Sequence, residues 1–241
     1  MDELQFGEWV GPLLDGLWVT VYCTVLGAVL ALVIALVLGL SVRVENIVVR
    51  TAARTIIELF RGTSLLVQLF FIYYAFPQLT GVYGLPAVVA GVVALGLNFG
   101  AYGAEVVRGA INAVPPPQWE GSIALNLTPA QRMRRVILPQ ALPLMIPPFG
   151  NLLIQLLKST PLVYLISIVD LYTVGTHYWS AIAHPAFVFG LLLVVYFVLA
   201  YLTTLGMHAI ENRAKARLGR AEERRSLFGF KGPVAEEAEQ L

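Results

Sequence analysis

Long apolar runs separated by shorter polar segments extend from residue 16 to residue 206 of this 241-residue chain. A helix needs about 20 mostly apolar residues to cross the roughly 30 Å hydrocarbon core of a bilayer. The first run carries no charge and is longer than the apolar part of a secretory signal, so we interpret it as a retained span. We predict one membrane-spanning helix in each of five runs: Gly16–Leu40, Leu59–Leu79, Leu85–Ala104, Phe149–Val169 and Ala186–Gly206.

Small residues recur at every fourth position in two of these runs. In the first run they are Gly27, Ala31, Ala35 and Gly39, and the third run has Gly96, Gly100 and Ala104. Residues four apart share one face of a helix, and small-residue faces let helices approach closely in lipid. We therefore expect tight packing of these two faces, within a bundle or at a dimer seam.

The composition favours a membrane protein and indicates no metal or disulfide site. Hydrophobic residues make up 58% of the chain and charged residues 13%, whereas soluble domains have about 45–50% and about 25%. The single cysteine, Cys23, allows no internal disulfide, and no Cys/His cluster has the spacing of metal ligands. The predicted fold is an all-α integral membrane protein with about five transmembrane helices.

The distribution of Lys and Arg predicts the orientation of the chain. Basic residues follow the first, third and fifth runs, whereas the N-terminal segment and the loops after the second and fourth runs contain none. Loops rich in Lys and Arg stay on the cytoplasmic side. We therefore predict an extracellular N-terminus (1–15), a transmembrane domain (16–212) with a cytoplasmic loop (105–142), and a cytoplasmic polar tail (213–241).

The fourth run contains a cation and an interrupting proline. Lys158, Ser159 and Thr160 directly precede Pro161, and proline removes a helical N–H and clashes with the carbonyl four residues back. Transporters place substrate sites at such breaks, which survive at membrane depth only beside protein or a water-filled cavity. Lys158 has two possible roles. It contacts a solute carboxylate or pairs with another charge along the pathway, or it has a structural role, bound to the backbone carbonyls that Pro161 frees or extended toward the membrane interface.

Uncharged polar side chains within the runs have two possible roles. They either form hydrogen bonds between helices or line a solute pathway. The candidates for the pathway, in addition to Lys158, Ser159 and Thr160, are Gln68, Asn98, Gln155 and Tyr164.

The polar interval between the third and fourth runs has strong local signals for helix ends. We predict a short helix from Gln118 that Asn126 closes in the left-handed conformation. Thr128 then fits an N-cap, Pro129 the first helical position, and Gln131 the partner residue of a capping box. The predicted structure is helix, tight turn and helix outside the bilayer; the alternative is an interfacial elbow without a partner.

In this interval the sequence resembles the permease subunits of polar-amino-acid ABC importers, the histidine/glutamine permease family. Glu120, Gly121 and Ser122 correspond to the family's E-A-A motif, Asn126 to its following glycine, and Ile137-Leu138-Pro139 to I-x-L-P. Four further stretches resemble the family, so that the likeness covers about residues 16–212: Glu58–Gln68, Asn98–Glu105, Arg108–Ile111 and Leu138–Ala141. The chain departs from the family's pattern in the two residues after Glu120, at Asn126 and in the motif Lys158–Pro161.

The resemblance implies a permease subunit of an importer for polar amino acids or amino-acid-like solutes. The implied partners are a second permease (a copy or a paralogue), two ATP-binding subunits, an extracellular or periplasmic solute-binding protein and the lipid bilayer, without nucleic acid. The implied location is a bacterial or archaeal cell (inner) membrane, which the chain would cross several times. The residues expected to couple ATPase motion to alternating access are Glu120, Gly121, Ser122, Ile123, Asn126, Leu127, Arg132, Arg134 and Arg135.

The chain itself is not expected to be an enzyme. It contains no G-x-x-x-x-G-K-[ST] loop, so ATP and Mg are expected in the partner ATPase and no cofactor is expected in this chain. The main alternative is an ion- or proton-coupled secondary transporter subunit. Such carriers usually need acidic residues in mid-span and repeated halves, and neither is evident in this sequence.

Overall fold

Helices form nearly all of the regular structure in the computed structural model, which describes residues 3–182 and 185–217. No β-strand occurs in these two ranges, so the predicted all-α class is confirmed. Two π-helical stretches (Phe71–Ala75 and Met133–Ile137) and one 3-10 helix (Thr160–Ile166) join some of the α-helices. The α-helices are α1 (Glu3–Ser41), α2 (Ile47–Gly62), α3 (Leu65–Phe70), α4 (Phe76–Thr80), α5 (Ala87–Asn112), α6 (Pro116–Ala124), α7 (Pro129–Arg132), α8 (Leu138–Ser159), α9 (Leu171–Ile182) and α10 (Pro185–Arg217).

Four helical stretches of the described chain are long and apolar enough to cross a membrane. They contain α1, α5, α8 and α10, and the bent pair of α2 with α3–α4 brings the number to as many as five. This agrees with the prediction of about five spans. The orientation of the termini stays a prediction. Of the predicted tail, residues 218–241 lie outside the described residues, and 213–217 continue α10.

The predicted second span is not one straight helix. The run Leu59–Leu79 crosses a sharp bend, because the helical stretches Ile47–Gly62 and Leu65–Thr80 meet at 106°. Thr63 and Ser64 between them have extended backbones. Apolar composition continues through this bend, so hydropathy alone could not locate it.

The helix that contains the predicted fourth span begins before the apolar run and ends at the predicted break. Helix α8 begins at Leu138, not at Phe149, and Pro143, Pro147 and Pro148 lie inside it. The helix continues through all three, although each lacks a backbone donor. At Pro161 the α-helix has ended, and the chain continues as the 3-10 helix Thr160–Ile166.

Helices α1 and α5 pack closely through the small residues that the sequence identified. A Cβ atom on Gly100 would lie 2.7 Å from Cγ2 of Ile34 and 3.2 Å from the carbonyl oxygen of Ala31. A Cβ on Gly39 would lie 3.0 Å from the carbonyl oxygen of Ala104. The predicted close packing of the two faces is therefore confirmed, and it occurs within a single chain.

We expect Gly100→Ala to destabilise the protein, because the added methyl group would force α1 and α5 apart. Overpacking of this kind costs about 1–3 kcal/mol, so the Tm in detergent should fall. Gly109 lies on the same helix with nothing within 4 Å of its Cβ position. Gly109→Ala should therefore leave the Tm unchanged or raise it; equal shifts in both variants would contradict the assignment of this contact.

Candidate functional site: the α6–α7 elbow and the polar face of α8

The turn between α6 and α7 closes α6 with a Schellman motif. Asn126 has φ of 54°, its N–H donates to the carbonyl of Ile123 at 2.8 Å, and the N–H of Leu127 donates to the carbonyl of Ser122 at 3.1 Å. These bonds satisfy carbonyls that the end of the helix would otherwise leave free. The predicted left-handed Asn126 is confirmed, while the helix starts at Pro116 rather than Gln118, because proline suits a first helical position.

A capping box starts α7 immediately after this turn. Oγ1 of Thr128 accepts the N–H of Gln131 at 3.3 Å, and Oε1 of Gln131 accepts the N–H of Thr128 at 3.1 Å. The predicted capping box is therefore confirmed. We call the segment Pro116–Ile137 the elbow; it ends with the π-helical stretch Met133–Ile137, which leads directly into α8.

The elbow displays both charged and apolar side chains on its surface. Among the predicted coupling residues, six are exposed: Glu120, Gly121, Ile123, Asn126, Arg134 and Arg135. Leu127 and Arg132 are half-buried, while Ser122 is buried and donates to the carbonyl of Trp119 at 2.6 Å, which gives it an internal structural contact. Leu125, which the sequence analysis did not select, is 74% exposed.

The inner side of the elbow packs against the rest of the bundle. Trp119 packs with Val114, Ile137 and Met145 in one apolar cluster. The amide nitrogen of Gln140 donates to Oε1 of Gln118 at 3.0 Å, which joins α6 to α8. The elbow is therefore held against the bundle while its outer face stays free.

Arg43, just beyond the end of α1, reaches the same region. Its guanidinium donates to Oδ1 of Asn112, the last residue of α5, and lies 5.7 Å from the ring centroid of Trp119. Burial lowers the pKa of Arg43, and the nearby Arg108 lowers it further. The sequence analysis missed this contact because the residues are far apart in the chain; Arg43 and Asn112 are separated by 69 positions.

Helix α8 has a polar stripe on its exposed face. Asn151, Gln155 and Lys158 are exposed, and their spacing of four and three residues places them on one side of the helix. None of the three side chains hydrogen-bonds to another residue that the structure describes. Asn151 was not among the predicted pathway residues, although its spacing from Gln155 was a signal that could have found it.

Lys158 also lines a groove between α8 and α10. The groove has a volume of about 540 Å³, and Tyr196, Tyr201 and Thr204 of α10 line its other side. Apolar side chains make up most of the remaining lining, in which Lys158 is the one charged residue that the structure describes, on a helix that is long enough to cross a membrane. Such an environment can hold an organic anion or carboxylate.

The residues next to Lys158 form local hydrogen bonds at the helix break. The hydroxyl of Thr160 donates to the carbonyl of Leu157 at 2.8 Å. In a continuous α-helix this carbonyl would accept the N–H of residue 161, which proline lacks. The hydroxyl of Ser159 donates to the carbonyl of Gln155 at 2.9 Å. Tyr164 is exposed, with its ring centroid 5.6 Å from that of Tyr172. Contact of these residues with solute stays a prediction.

Gln68 and Asn98 are buried together at the bend between α2 and α3. Nε2 of Gln68 donates to the carbonyl of Phe60 at 2.8 Å and to Oγ1 of Thr63 at 2.8 Å. Nδ2 of Asn98 donates to the same carbonyl at 3.1 Å and to Oε1 of Gln68 at 3.2 Å. These bonds use both amide nitrogens to stabilise the bend, and a direct contact with solute stays untested.

A buried carboxylate anchors the end of the bundle opposite the elbow. Oδ1 of Asp170 accepts the N–H of Thr173 at 2.9 Å and its hydroxyl at 2.7 Å, so Asp170 caps α9. The hydroxyl of Tyr196 donates to Oδ2 at 3.4 Å, and a Cβ on Gly16 would lie 3.0 Å from the Asp170 backbone. Asp170 therefore joins α1, α9 and α10; its Asp-x-x-Thr spacing before a helix was the available signal.

Comparison with known proteins agrees with this architecture. The family described as "Binding-protein-dependent transport system inner membrane component" matches residues 27–216. A probable amino-acid ABC transporter permease protein of Sinorhizobium fredii, y4tF, is 41% identical over 87% of this chain and 90% of its own length. The L-cystine transport system permease protein TcyL of Bacillus subtilis is 34% identical over 72% of this chain and 75% of its own.

A solved structure shows the same fold. The crystal structure of an amino acid ABC transporter with histidines contains a chain that is 32% identical, with a TM-score of 0.80 over 88% of this chain and 99% of that one. The present chain belongs to the family of binding-protein-dependent transport system inner membrane components and is a multi-pass permease subunit of an ABC importer. These findings favour the importer over the secondary-transporter alternative.

We expect Asn126→Val to loosen the elbow, whereas Asn126→Gly should preserve it. A β-branched residue at φ of 54° is strained by about 1–2 kcal/mol, and glycine is not. Hydrogen exchange measured on the amides of Ile123–Gln131 should speed up several-fold in the valine variant only. Unchanged exchange in Asn126→Val would show that the turn does not depend on this conformation.

Proposed function

We propose that this chain forms half of the solute pathway of an ATP-driven importer for polar amino acids or amino-acid-like solutes. A second permease, either a copy or a paralogue, completes the pathway. Two ATP-binding subunits dock at the elbow, hold the ATP and Mg, and hydrolyse the ATP. A solute-binding protein delivers solute on the opposite side of a bacterial or archaeal inner membrane.

The shape of the elbow is the observation that carries this proposal. The Schellman motif and the capping box fix the turn through backbone hydrogen bonds, so the elbow moves as a unit. Ile123 and Leu125 are exposed on it beside Glu120. Apolar anchors beside a charge are typical of a protein interface, and a rigid elbow can pass a partner's movement to the helices attached to it.

The polar stripe of α8 supports the position of the pathway. Unpaired polar side chains at membrane depth face either water or protein. We place Asn151, Gln155 and Lys158 on the pathway side, facing the second permease. The Lys158 ammonium would contact the carboxylate of an amino acid, since a cation is the natural partner of that group.

The docking assignment is tested by reversing charge on the elbow. We expect the double variant Glu120→Arg, Arg135→Glu to insert into the membrane normally and to lose at least about 90% of ATP-dependent uptake, because disrupting a charged interface contact costs about 2–5 kcal/mol. ATP-driven uptake and co-purification of the ATP-binding subunits are measured in proteoliposomes and in detergent. Glu45→Arg, an exposed reversal between α1 and α2, is the matched control. Wild-type uptake in the double variant would refute the assignment.

The pathway assignment is tested at Lys158. We expect Lys158→Met to lower solute uptake about tenfold or more without changing co-purification or the Tm, because one ion pair with the carboxylate is lost while the side chain is exposed in a groove. Lys158→Arg, which keeps the positive charge, should retain more uptake. Equal uptake in wild type and Lys158→Met, at every solute concentration, would show that Lys158 lies off the pathway.

A further inference from the structure

We propose that Arg43 is a positioning residue of the transport cycle, whose guanidinium transmits movement of α6 to the ends of α1 and α5. This inference rests on the proposed function, because it assigns a route by which motion of the elbow reaches the spans. It concerns the contact of the elbow with the ends of α1 and α5.

A single cation connects three elements at this point. Arg43 follows the end of α1 by two residues. Its guanidinium donates to Oδ1 of Asn112 at the end of α5, and it lies 5.7 Å from the centroid of the Trp119 ring on α6. A cation within about 6 Å of an aromatic centroid is attracted to the ring face. Arg43 therefore bridges both spans and the helix that would receive the ATPase.

The environment of Arg43 argues against a role as a solvated surface charge. Its Nε is buried and has no hydrogen-bond partner among the described residues. Leaving this donor buried and unpaired costs free energy, although Arg43 as a whole is only half-buried. The retained charge is explained by what it contacts, namely an amide oxygen on one side and a ring face on the other.

The contact of Arg43 with Trp119 also allows movement, which a contact that transmits motion requires. A notch of about 350 Å³ adjoins it, with Arg43, Pro116 and Glu120 on its walls. Attraction between a cation and a ring face tolerates small sliding movements better than interlocked packing does. On its other side, α6 is tied to α8 by the hydrogen bond between Gln118 and Gln140. The elbow can therefore shift about the α8 attachment while Arg43 keeps α1 and α5 connected to it.

The test measures coupling in the complete transporter, reconstituted in proteoliposomes with its ATP-binding subunits and solute-binding protein. We expect Arg43→Gln and Trp119→Leu each to lower the number of solute molecules imported per ATP hydrolysed about twofold to fivefold, the factor that a cation–π contact provides. The double variant should lose no more than either single variant, because both remove the same contact. Trp119→Phe, which keeps a ring, should retain most of the coupling, and Arg50→Gln is the charge-matched control.

The possible outcomes distinguish a contact that transmits movement from one that only stabilises the fold. An unchanged ratio of solute to ATP in both single variants would overturn the proposal, as would losses that multiply in the double variant. Reduced assembly with a normal ratio of solute to ATP in the assembled complex would also overturn it. A contact that only stabilises the fold affects the yield of the complex and not its coupling. If the wild-type complex showed no ATP-dependent uptake, the proposed function would fail instead, so the two failures are distinguishable.

Discussion

A buried backbone carbonyl that loses its helical donor must find another one, and this constraint governs the bend after α2 and the break after α8. At the bend between α2 and α3, the amides of Gln68 and Asn98 converge on the carbonyl of Phe60. At the end of α8, the hydroxyl of Thr160 bonds to the carbonyl of Leu157, for which Pro161 lacks a donor. Both breaks are therefore fixed features of the fold. Gln68, Asn98 and Thr160, which the sequence suggested as solute contacts, have a structural role as well.

The parts of the fold that the sequence predicted correctly depend on neighbouring residues. Asn126, Thr128 and Gln131 act within a few positions of themselves, so their residue types are enough to predict the turn and the capping box. The small-residue faces of the first and third runs were visible from a spacing of four. Repeated spacing indicates which face of a helix is used, but it does not identify the helix against which that face packs.

The parts that the sequence could not predict depend on distant partners or on competing local signals. The contact of Arg43 with Asn112, and that of Asn98 with Phe60, join positions that only the folded chain brings together. The start of α8 was hard to predict for another reason: Pro143, Pro147 and Pro148 are of a residue type that usually interrupts helices, yet the helix continues through all three. Pathway residues were similarly ambiguous, because a buried amide and a solute-binding amide look identical in a sequence.

The single chain exposes two kinds of surface that suit contact with a partner or with water, and they lie in different parts of the fold. On the elbow, Ile123 and Leu125 expose apolar surface beside charges, which suits a water-soluble partner that covers it. Along α8, Asn151, Gln155 and Lys158 expose polar groups on a helix long enough to span a membrane, which suits a wet pathway rather than lipid. Because Trp119 belongs to both the elbow and the packed cluster that reaches α8 through Met145, the two surfaces share one mechanical support. In the proposed function, this shared support connects the docking surface of the ATP-binding subunits to the solute pathway.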